Sequence, residues 1–136
     1  TGVQTCALPI WYETQVANFP ALAENLSYER RGIREVFDDF EYFALKGGAI
    51  LVGGKIAAFT FGEMLNSNTA VIHVEKADAE IRGAYTAINQ QFLAHEWTGA
   101  EFVNREEDLG IEGLRRAKES YRPIKMVDKF SAKVIA

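Results

Sequence analysis

Two side chains able to exchange protons, His73 and Glu75, stand two positions apart in the segment TAVIHVEKA. Side chains alternate between the two faces of a β-strand, so a strand at this place puts both on the same face. Either residue can then take a proton from an acceptor or orient it, which makes both candidate catalytic residues. The alternative is a polar pair that is satisfied inside the sheet or on its solvent face. We expect no bound metal, because the pair has no third ligand within reach in the sequence.

A second polar group follows the short apolar segment EFV: Asn104, Arg105, Glu106, Glu107 and Asp108. If EFVNRE is a strand, the group lies at its carboxyl end, where ligands commonly bind in α/β sheets. A carboxylate there can bind the ammonium of an aminoacyl group or a polyamine, and Arg105 can hold a phosphate through two hydrogen bonds. Asn104, Arg105, Glu106 and Asp108 are therefore candidate substrate-binding residues. The alternative for Asp108 is structural, because a carboxylate near the start of a helix caps its first amides.

The end of the chain is basic although the whole chain is acidic. Residues 114–136 contain seven lysines and arginines and two acidic residues, a net charge of +5, so the remainder carries −9. Lys118 and Lys129 are the candidate phosphate contacts of this segment, with ordinary surface charge as the alternative. A helix rises 1.5 Å per residue, so we expect Lys118 about 15 Å from the polar group before the helix. A ligand that touches both would have to be extended.

Length and composition limit the class of protein. The chain has 136 residues, of which 48% are hydrophobic and 25% are charged, the balance of one globular domain. Its apolar runs are far shorter than the roughly 18 residues of a membrane span, so no transmembrane segment is expected. Cys6 is the only cysteine, which excludes an internal disulfide. An acidic protein binds DNA poorly, and no DNA partner is expected.

Residues 1–10, TGVQTCALPI, carry no targeting pattern. The string resembles a translated sequencing-adapter fragment, so we expect a non-native segment here, with an ordinary loop leading into a helix as the alternative. Residues 11–136 would then form a single domain, the C-terminal piece of a longer, metagenomic sequence.

The spacing of apolar residues predicts the elements that must hold these side chains. A short helix is expected around Trp11, Val16, Phe19 and Leu22, followed by an amphipathic helix over Leu26–Leu45 with Ser27 as its N-cap and the pair at 47–48 as its stop. Residues 49–77 favour a three-stranded antiparallel meander, with turns at Gly53-Gly54 and at the NSN of 66–68.

The second half of the chain favours helix, strand, helix and strand. A helix from Gly83 to about Trp97 precedes the strand EFVNRE, and another covers Ile111 to about Ser120, with Leu109, Leu114 and Ala117 facing inward. The alternating run IKMVDKFSAKVI predicts a closing strand. The order predicts an α/β fold of the α+β type, in which a mixed, largely antiparallel sheet carries helices on both faces.

This order is similar to that of the GNAT acyltransferase fold. The strings KIAAFTFGE, VIHVEKA, GAYTAINQQF and FVNREEDLGIEGLRRAKESYRP, with the lysine-bearing last strand, resemble the C-terminal domain of the phosphatidylglycerol lysyltransferase family, including its uncharacterised soluble relatives. The resemblance covers most of residues 11–136. Members contain two tandem GNAT-like halves, so this chain would be the second half and the N-terminal half its partner.

The resemblance implies an acyltransferase domain. Members move an aminoacyl group from aminoacyl-tRNA to a lipid hydroxyl, and other GNAT proteins move an acyl group from acyl-CoA to an amine. The implied partners are the tRNA acceptor end or an anionic lipid head group, reached from the cytoplasm at the membrane periphery, and one half alone is not expected to be active. The alternative is a non-catalytic GNAT-like binding or structural module.

Two more site residues follow from the resemblance. GNAT proteins cradle pyrophosphate with a Gln/Arg-x-x-Gly-x-Gly/Ala turn, and residues 80–85, EIRGAY, keep only Gly83 of it. Ordinary acetyl-CoA binding is therefore expected to be weak, and the alternative is that Gly83 only begins a helix. Many GNAT enzymes also place a tyrosine that returns a proton to the leaving group where Tyr121 stands, the alternative being an aromatic packed beneath Pro123.

Overall fold

The helices and strands of the described residues follow nearly the predicted order. The computed structural model describes residues 12, 13, 17 and 23–134. Its elements are α1 (Ala23–Asp38), β1 (Lys46–Val52), β2 (Lys55–Met64), β3 (Thr69–Ala77), α2 (Ala84–Glu96), β4 (Phe102–Asn104) and α3 (Glu112–Glu119). They divide into two compact units, one ending at Asn104 and the other beginning at Arg105. Residues 1–10 and the apolar positions of the predicted first helix, Trp11, Val16, Phe19 and Leu22, lie outside the described residues.

The four strands form one mixed sheet in the order β1-β2-β3-β4. The first three are antiparallel neighbours, and β4 runs parallel to β3. Gly53 and Gly54, both at positive φ, make the two-residue turn between β1 and β2. Such a turn matches the twist of the strands it joins, which is why a glycine pair serves here. The predicted meander is confirmed.

Each face of the sheet is covered by a helix. On one face, Ile33 and Phe37 of α1 pack against Phe59 and Phe61 of β2. On the other face, Ala58 of β2 belongs to a cluster with α2, because neighbouring residues of a strand point to opposite sides. The predicted α/β class with helices on both faces is confirmed.

The predicted bounds of α1 were wrong. The helix begins at Ala23, so Ser27 lies inside it and is no N-cap. It ends at Asp38, and the chain then turns with Ala44 at a φ of 51°. Gly47 lies in β1, where a Cβ would come 3.1 Å from Cζ of Phe40. Close packing of Phe40, in the turn that follows α1, against β1 accounts for that glycine, which is not a helix stop.

The predicted closing strand is absent from the described residues. Ile124, Met126, Phe130 and Val134 are 65–97% exposed and belong to no helix or strand. Alternation alone does not make a strand, because its backbone groups need a neighbouring strand. Leu109 and Leu114, expected to face inward, are also exposed, and none of the residues of α3 is buried.

Across residues 23–134 there is no helix both long and apolar enough to span a bilayer. The same residues hold no cluster of three histidine, cysteine or acidic side chains that could bind a metal ion.

Candidate functional site

A β-bulge in β3 decides where His73 and Glu75 point. Phe61 of β2 pairs with Val74, but the next residue, Gly62, pairs with Ile72, so His73 is an extra residue on β3. The bulge puts His73 on the face of Phe61 and Val74, beneath α1. Glu75 pairs with Thr60 and points to the α2 face. The prediction that His73 and Glu75 share a face was therefore wrong, because it assumed an unbroken alternation.

His73 forms a close pair with Glu63 of β2. Its Nε2 lies 2.8 Å from Oε1 of Glu63, and the two side chains are 32% and 45% exposed. An ionised carboxylate can only accept, so the hydrogen of the imidazole lies on Nε2 in this pair. The pair is a partly exposed, oriented proton-exchanging group. The sequence offered no signal for Glu63, since the contact depends on the bulge.

Glu75 is held from the other face of the sheet. Nδ2 of Asn89 donates to Oε2 of Glu75 over 2.8 Å, and Asn89 is only 4% exposed. Burying an amide is favourable only with a partner, so this bond fixes both side chains. Asn89 was also missed, although an asparagine beside the buried positions Ala84, Ile88 and Phe92 of α2 was a usable signal.

In the loop before α2, two backbone N–H groups are bonded within the loop itself. Asp78 accepts the backbone N–H of Glu80 on its side chain and that of Ile81 on its carbonyl, over 2.9 and 3.2 Å. Gly83 is the N-cap of α2 at a φ of 83°, with no side-chain cap. The predicted start of this helix at Gly83 is confirmed. The loop therefore has fewer amides to offer a pyrophosphate than a cradling turn provides.

Tyr85, in the first turn of α2, lies beside the end of β3. Burial raises the pKa of its phenol and the carboxylate of Glu75 adds to the rise, while a hydrogen bond with the backbone of Ala77 opposes it. The side chain is 42% exposed. Tyr85, considered from the sequence only as an obstacle to phosphate, is thus a protonated hydroxyl near Glu75.

Strands β3 and β4 are paired over only three residues of each strand. Their parallel pairing begins at Thr69↔Phe102 and ends at Val71↔Asn104, whereas β3 continues to Ala77. No other strand among residues 23–134 joins β3 on that side. His73 is the second residue of β3 beyond the last pair. The proton-exchanging side chains of β3 therefore lie just beyond the end of its pairing with β4.

The second unit brings together residues that were expected at opposite ends of α3. The guanidinium of Arg105 lies 4.3 Å from the ring centre of Tyr121. Nζ of Lys118 donates to the carbonyl oxygens of Arg105 and Glu107, over 2.6 and 2.7 Å. The expected separation of about 15 Å was wrong, because positive φ angles at Glu106 and Leu109 turn residues 105–110 back beside the helix.

Asp108 has a structural partner in the same unit but does not cap α3. The N-cap is Ile111, which has no side-chain cap. Asp108 accepts the N–H of Gly110 at 2.8 Å and Nε of Arg115 at 2.6 Å. The Arg115 guanidinium holds the pKa of Asp108 below its usual range, with the Gly110 amide adding to the effect. Lys129 pairs with Glu107 at 2.6 Å.

Comparison with known proteins gives one family and several structural relatives. The family described as phosphatidylglycerol lysyltransferase, C-terminal, matches residues 8–133. An uncharacterised protein of Mycoplasmoides gallisepticum is 25% identical over 99% of this chain and 39% of its own length. A crystal structure of a conserved protein of unknown function from Bacteroides thetaiotaomicron has a TM-score of 0.83 and 44% identity, over 91% of this chain and 42% of that one. This chain therefore spans about two fifths of these two relatives.

An acetyltransferase of known structure has a similar fold. A ribosomal-protein-alanine N-acetyltransferase from Brucella melitensis biovar Abortus superposes with a TM-score of 0.54 over 90% of this chain and 92% of that one. At 12% identity this likeness shows the GNAT-like fold alone.

Proposed function

Because the chain belongs to the phosphatidylglycerol lysyltransferase C-terminal family, we propose that it transfers an aminoacyl or acyl group to a lipid, amine or hydroxyl acceptor. Family and GNAT-like fold together support an acyltransferase-type domain. The donor, the acceptor and the residues that act on them are the proposed part.

The observation that carries the proposal is the end of the β3–β4 pairing at Val71↔Asn104, beyond which β3 continues without a parallel neighbour among residues 23–134. Ligands of α/β sheets bind beyond the carboxyl ends of parallel strands, at places where neighbouring strands or crossovers separate. Here that place is followed on β3 by a paired imidazole, His73, and by the fixed carboxylate of Glu75. A donor and an acceptor that meet there lie within reach of groups that accept protons.

His73 is the proposed base, because its ring is partly exposed and oriented by a carboxylate. Glu75 is less accessible to an acceptor, since Asn89 holds it against α2. Tyr121 is the proposed proton donor to the leaving group. Tyr121 is 46% exposed, and its ring centre lies 4.3 Å from the guanidinium carbon of Arg105, so the ring is held in place while it stays accessible.

Phosphate binding is proposed for Arg105 and Lys129. The ion pair of Lys129 with Glu107 joins side chains that are 73% and 45% exposed, so a phosphate can compete for it at little cost. Lys118 is a weaker candidate than the sequence implied, because two backbone carbonyls already accept its protons. Asn104, Glu106 and Asp108 remain proposed contacts for the amino end of the donor.

Aminoacyl-tRNA is the preferred donor over acetyl-CoA. Asp78 takes up two amides of the loop before α2, and the carboxylate of Glu80 repels a pyrophosphate there. The tRNA acceptor end or an anionic lipid head group would meet the basic segment 114–136. The rest of the relatives' length is proposed to supply the N-terminal GNAT-like half as the partner of this one.

A non-catalytic GNAT-like binding module is the second candidate. Two N–H groups of the loop before α2 are already bonded to Asp78, which favours this candidate. A loop that no longer offers its N–H groups to a phosphate can still be needed for the stability of the fold.

The deciding experiment offers labelled lysyl-tRNA with phosphatidylglycerol vesicles, and separately acetyl-CoA with spermidine. The longer Bacteroides relative is assayed beside this chain, because this chain spans 42% of it. We expect transfer from lysyl-tRNA, and its loss in the corresponding His73→Gln variant. Binding of lysyl-tRNA without transfer by either protein would favour the binding module.

A further inference from the structure

We infer that residues 124–134 form a membrane-docking segment, which places its apolar side chains in the surface of an anionic phospholipid bilayer and its lysines against the lipid phosphates. The inference rests on the lipid acceptor of the proposed function and deepens it, because it commits the basic end of the chain to a bilayer and not to tRNA.

The docking segment exposes its large apolar side chains to solvent. These are Ile124, Met126, Val127, Phe130 and Val134, and their exposed fractions run from 65% to 97%. None of residues 124–134 belongs to a helix or a strand. Exposed apolar side chains that lie among charged ones are typical of surfaces that bind a membrane or another protein. The segment is therefore a candidate contact surface.

Lysines and apolar residues of the segment follow a common spacing. Lys125, Lys129 and Lys133 stand four residues apart, and an apolar residue follows each of them, the middle one being Phe130. Positions four apart share a face in a helix and also in a strand. In either conformation the lysines form one row and the apolar side chains form another. Separate basic and apolar rows suit the boundary between phospholipid head groups and acyl chains.

The positive charge of the segment is open to a partner. Its three lysines stand against one acidic residue, Asp128, which gives a net charge of +2. Lys125 and Lys133 form no ion pair with the described residues, and Lys129 has only an exposed pair with Glu107. An anionic bilayer attracts such lysines by about 1 kcal/mol each. The charge of the segment is thus complementary to the proposed surface.

Helix α3, in the same unit, differs in this respect. Its arginines, Arg115 and Arg116, are paired with the carboxylates of Asp108 and Glu112. Their charge is largely balanced before any anionic partner approaches. This difference assigns the contact to the docking segment and not to α3.

Apolar exposure favours a bilayer over tRNA. Both partners carry phosphates that lysines can bind, so charge alone does not choose between them. Proteins bind unpaired RNA bases by stacking them on aromatic rings or guanidinium planes. The segment instead offers the aliphatic side chains of Ile124, Met126 and Val127, with Phe130 as its one ring. A bilayer accepts these side chains in its acyl boundary while the lysines reach its head groups.

The first test measures how much of this chain sediments with vesicles. Vesicles of phosphatidylglycerol and phosphatidylcholine in equal amounts supply the anionic surface, and vesicles of phosphatidylcholine alone are the control. We expect salt-sensitive binding to the first and much weaker binding to the second. Binding to neither kind of vesicle, or equal binding to both, would overturn the inference.

Two variants test the two rows separately. Lys125→Gln should weaken binding to the anionic vesicles about fivefold, the effect of one lysine near such a surface. Phe130→Ser should weaken it at least about fivefold, because the ring no longer leaves water. Phe130 is 88% exposed, so its loss removes little packing.

Each variant has a matched control elsewhere on the chain. Arg116→Gln removes one positive charge from α3, and Tyr42→Ser removes a ring that is 85% exposed in the other unit. Both should change vesicle binding less than about twofold, because they lie outside the docking segment. If they weaken binding as much as Lys125→Gln and Phe130→Ser do, residues 124–134 are not the contact surface.

A fluorescent label then reports where the bilayer lies. The only cysteine is first removed in Cys6→Ser, and Phe130→Cys supplies the site for an environment-sensitive fluorophore. Anionic vesicles should shift its emission to the blue, as expected when a label enters an apolar region. The same label on Tyr42→Cys should not shift. Equal shifts, or no shift at position 130 in vesicle-bound protein, would contradict the assigned surface.

Vesicle binding and aminoacyl transfer fail independently. If the chain binds anionic vesicles but neither it nor the longer relative transfers from lysyl-tRNA, the proposed function fails and the docking segment stands. If wild-type protein and Phe130→Ser bind vesicles and aminoacylate phosphatidylglycerol equally well, the docking segment is wrong and the proposed function stands. Binding of uncharged tRNA that is unaffected by Phe130→Ser, without binding to vesicles, would assign the segment to RNA.

Discussion

Gly62 and Val71 approach so closely that a Cβ atom on Gly62 would lie 2.2 Å from the carbonyl oxygen of Val71. Carbon and oxygen atoms cannot be this close, so any side chain at this position pushes β2 and β3 apart at the bulge. The residue that gives His73 its partner is therefore a glycine for a steric reason.

Gly62→Ala should lower the free energy of unfolding by about 3 kcal/mol, the upper part of the range for overpacked positions. Urea unfolding followed by circular dichroism measures it. Gly32→Ala is the matched control, because Gly32 lies within α1 and a Cβ there meets no atom within 4 Å. It should stabilise the chain by roughly 0.5–1 kcal/mol. Equal effects of the two substitutions would contradict the bulge geometry.

Lys118→Met should loosen residues 105–108. The substitution removes a charged donor from the carbonyl oxygens of Arg105 and Glu107. The backbone N–H groups of residues 105–108 should then exchange with solvent roughly tenfold faster, equivalent to about 1.4 kcal/mol. Hydrogen exchange with mass spectrometry measures the change. Lys129→Met removes only an exposed pair and should change the exchange rate less than about threefold. A larger effect at Lys129 would reverse the roles assigned to the two lysines.

The pKa of Asp108 should depend on Arg115. A lowered pKa in the folded state means that the carboxylate's contribution to stability is complete above its unfolded-state pKa of about 3.9. That contribution is lost as the pH falls through the lower folded-state value. In Arg115→Gln, the Asp108 titration followed by ¹³C NMR should move up toward the usual value. Arg116→Gln is the control, since Arg116 pairs with Glu112 instead, and it should leave the titration in place.

Acetyl-CoA should bind with a Kd weaker than about 100 µM, or roughly −5.5 kcal/mol. The reasons are the amides that Asp78 occupies, the carboxylate of Glu80 and the side chain of Tyr85 at the start of α2. Isothermal titration calorimetry measures it. Glu80→Gln should tighten binding by relieving repulsion, whereas Glu35→Gln on α1 should not. A micromolar Kd for the wild-type chain would instead place it with ordinary acetyltransferases.

Local patterns predicted the elements better than the contacts between them. The glycine pair 53–54 and the run 69–77 have their signals within a few residues, and both agree with the structure. The bulge at His73 has no such signal, because it depends on which residue of β2 lies opposite. The partners Glu63 and Asn89 were missed for the same reason, since each lies at least ten residues away in the chain.

Errors in the second unit have a related cause. The alternation of residues 124–134 is a property of the segment, but a strand also requires a neighbour, and the described residues provide none. Helix geometry placed Lys118 far from Arg105, and it failed because the chain before α3 doubles back at Glu106.

Because residues 124–134 are exposed and irregular, we expect a protease to cleave this segment faster than the rest of the described chain. Cleavage requires a segment to enter an extended active site, which an irregular exposed run does without unfolding. Trypsin should therefore cut first after Lys125, Lys129 and Lys133, while Pro123 protects the bond after Arg122. The lysines of β2 and β3, Lys55 and Lys76, lie in paired strands and become accessible only when the sheet opens. A brief digest would thus trim the basic end and leave the His73–Glu63 pair in place.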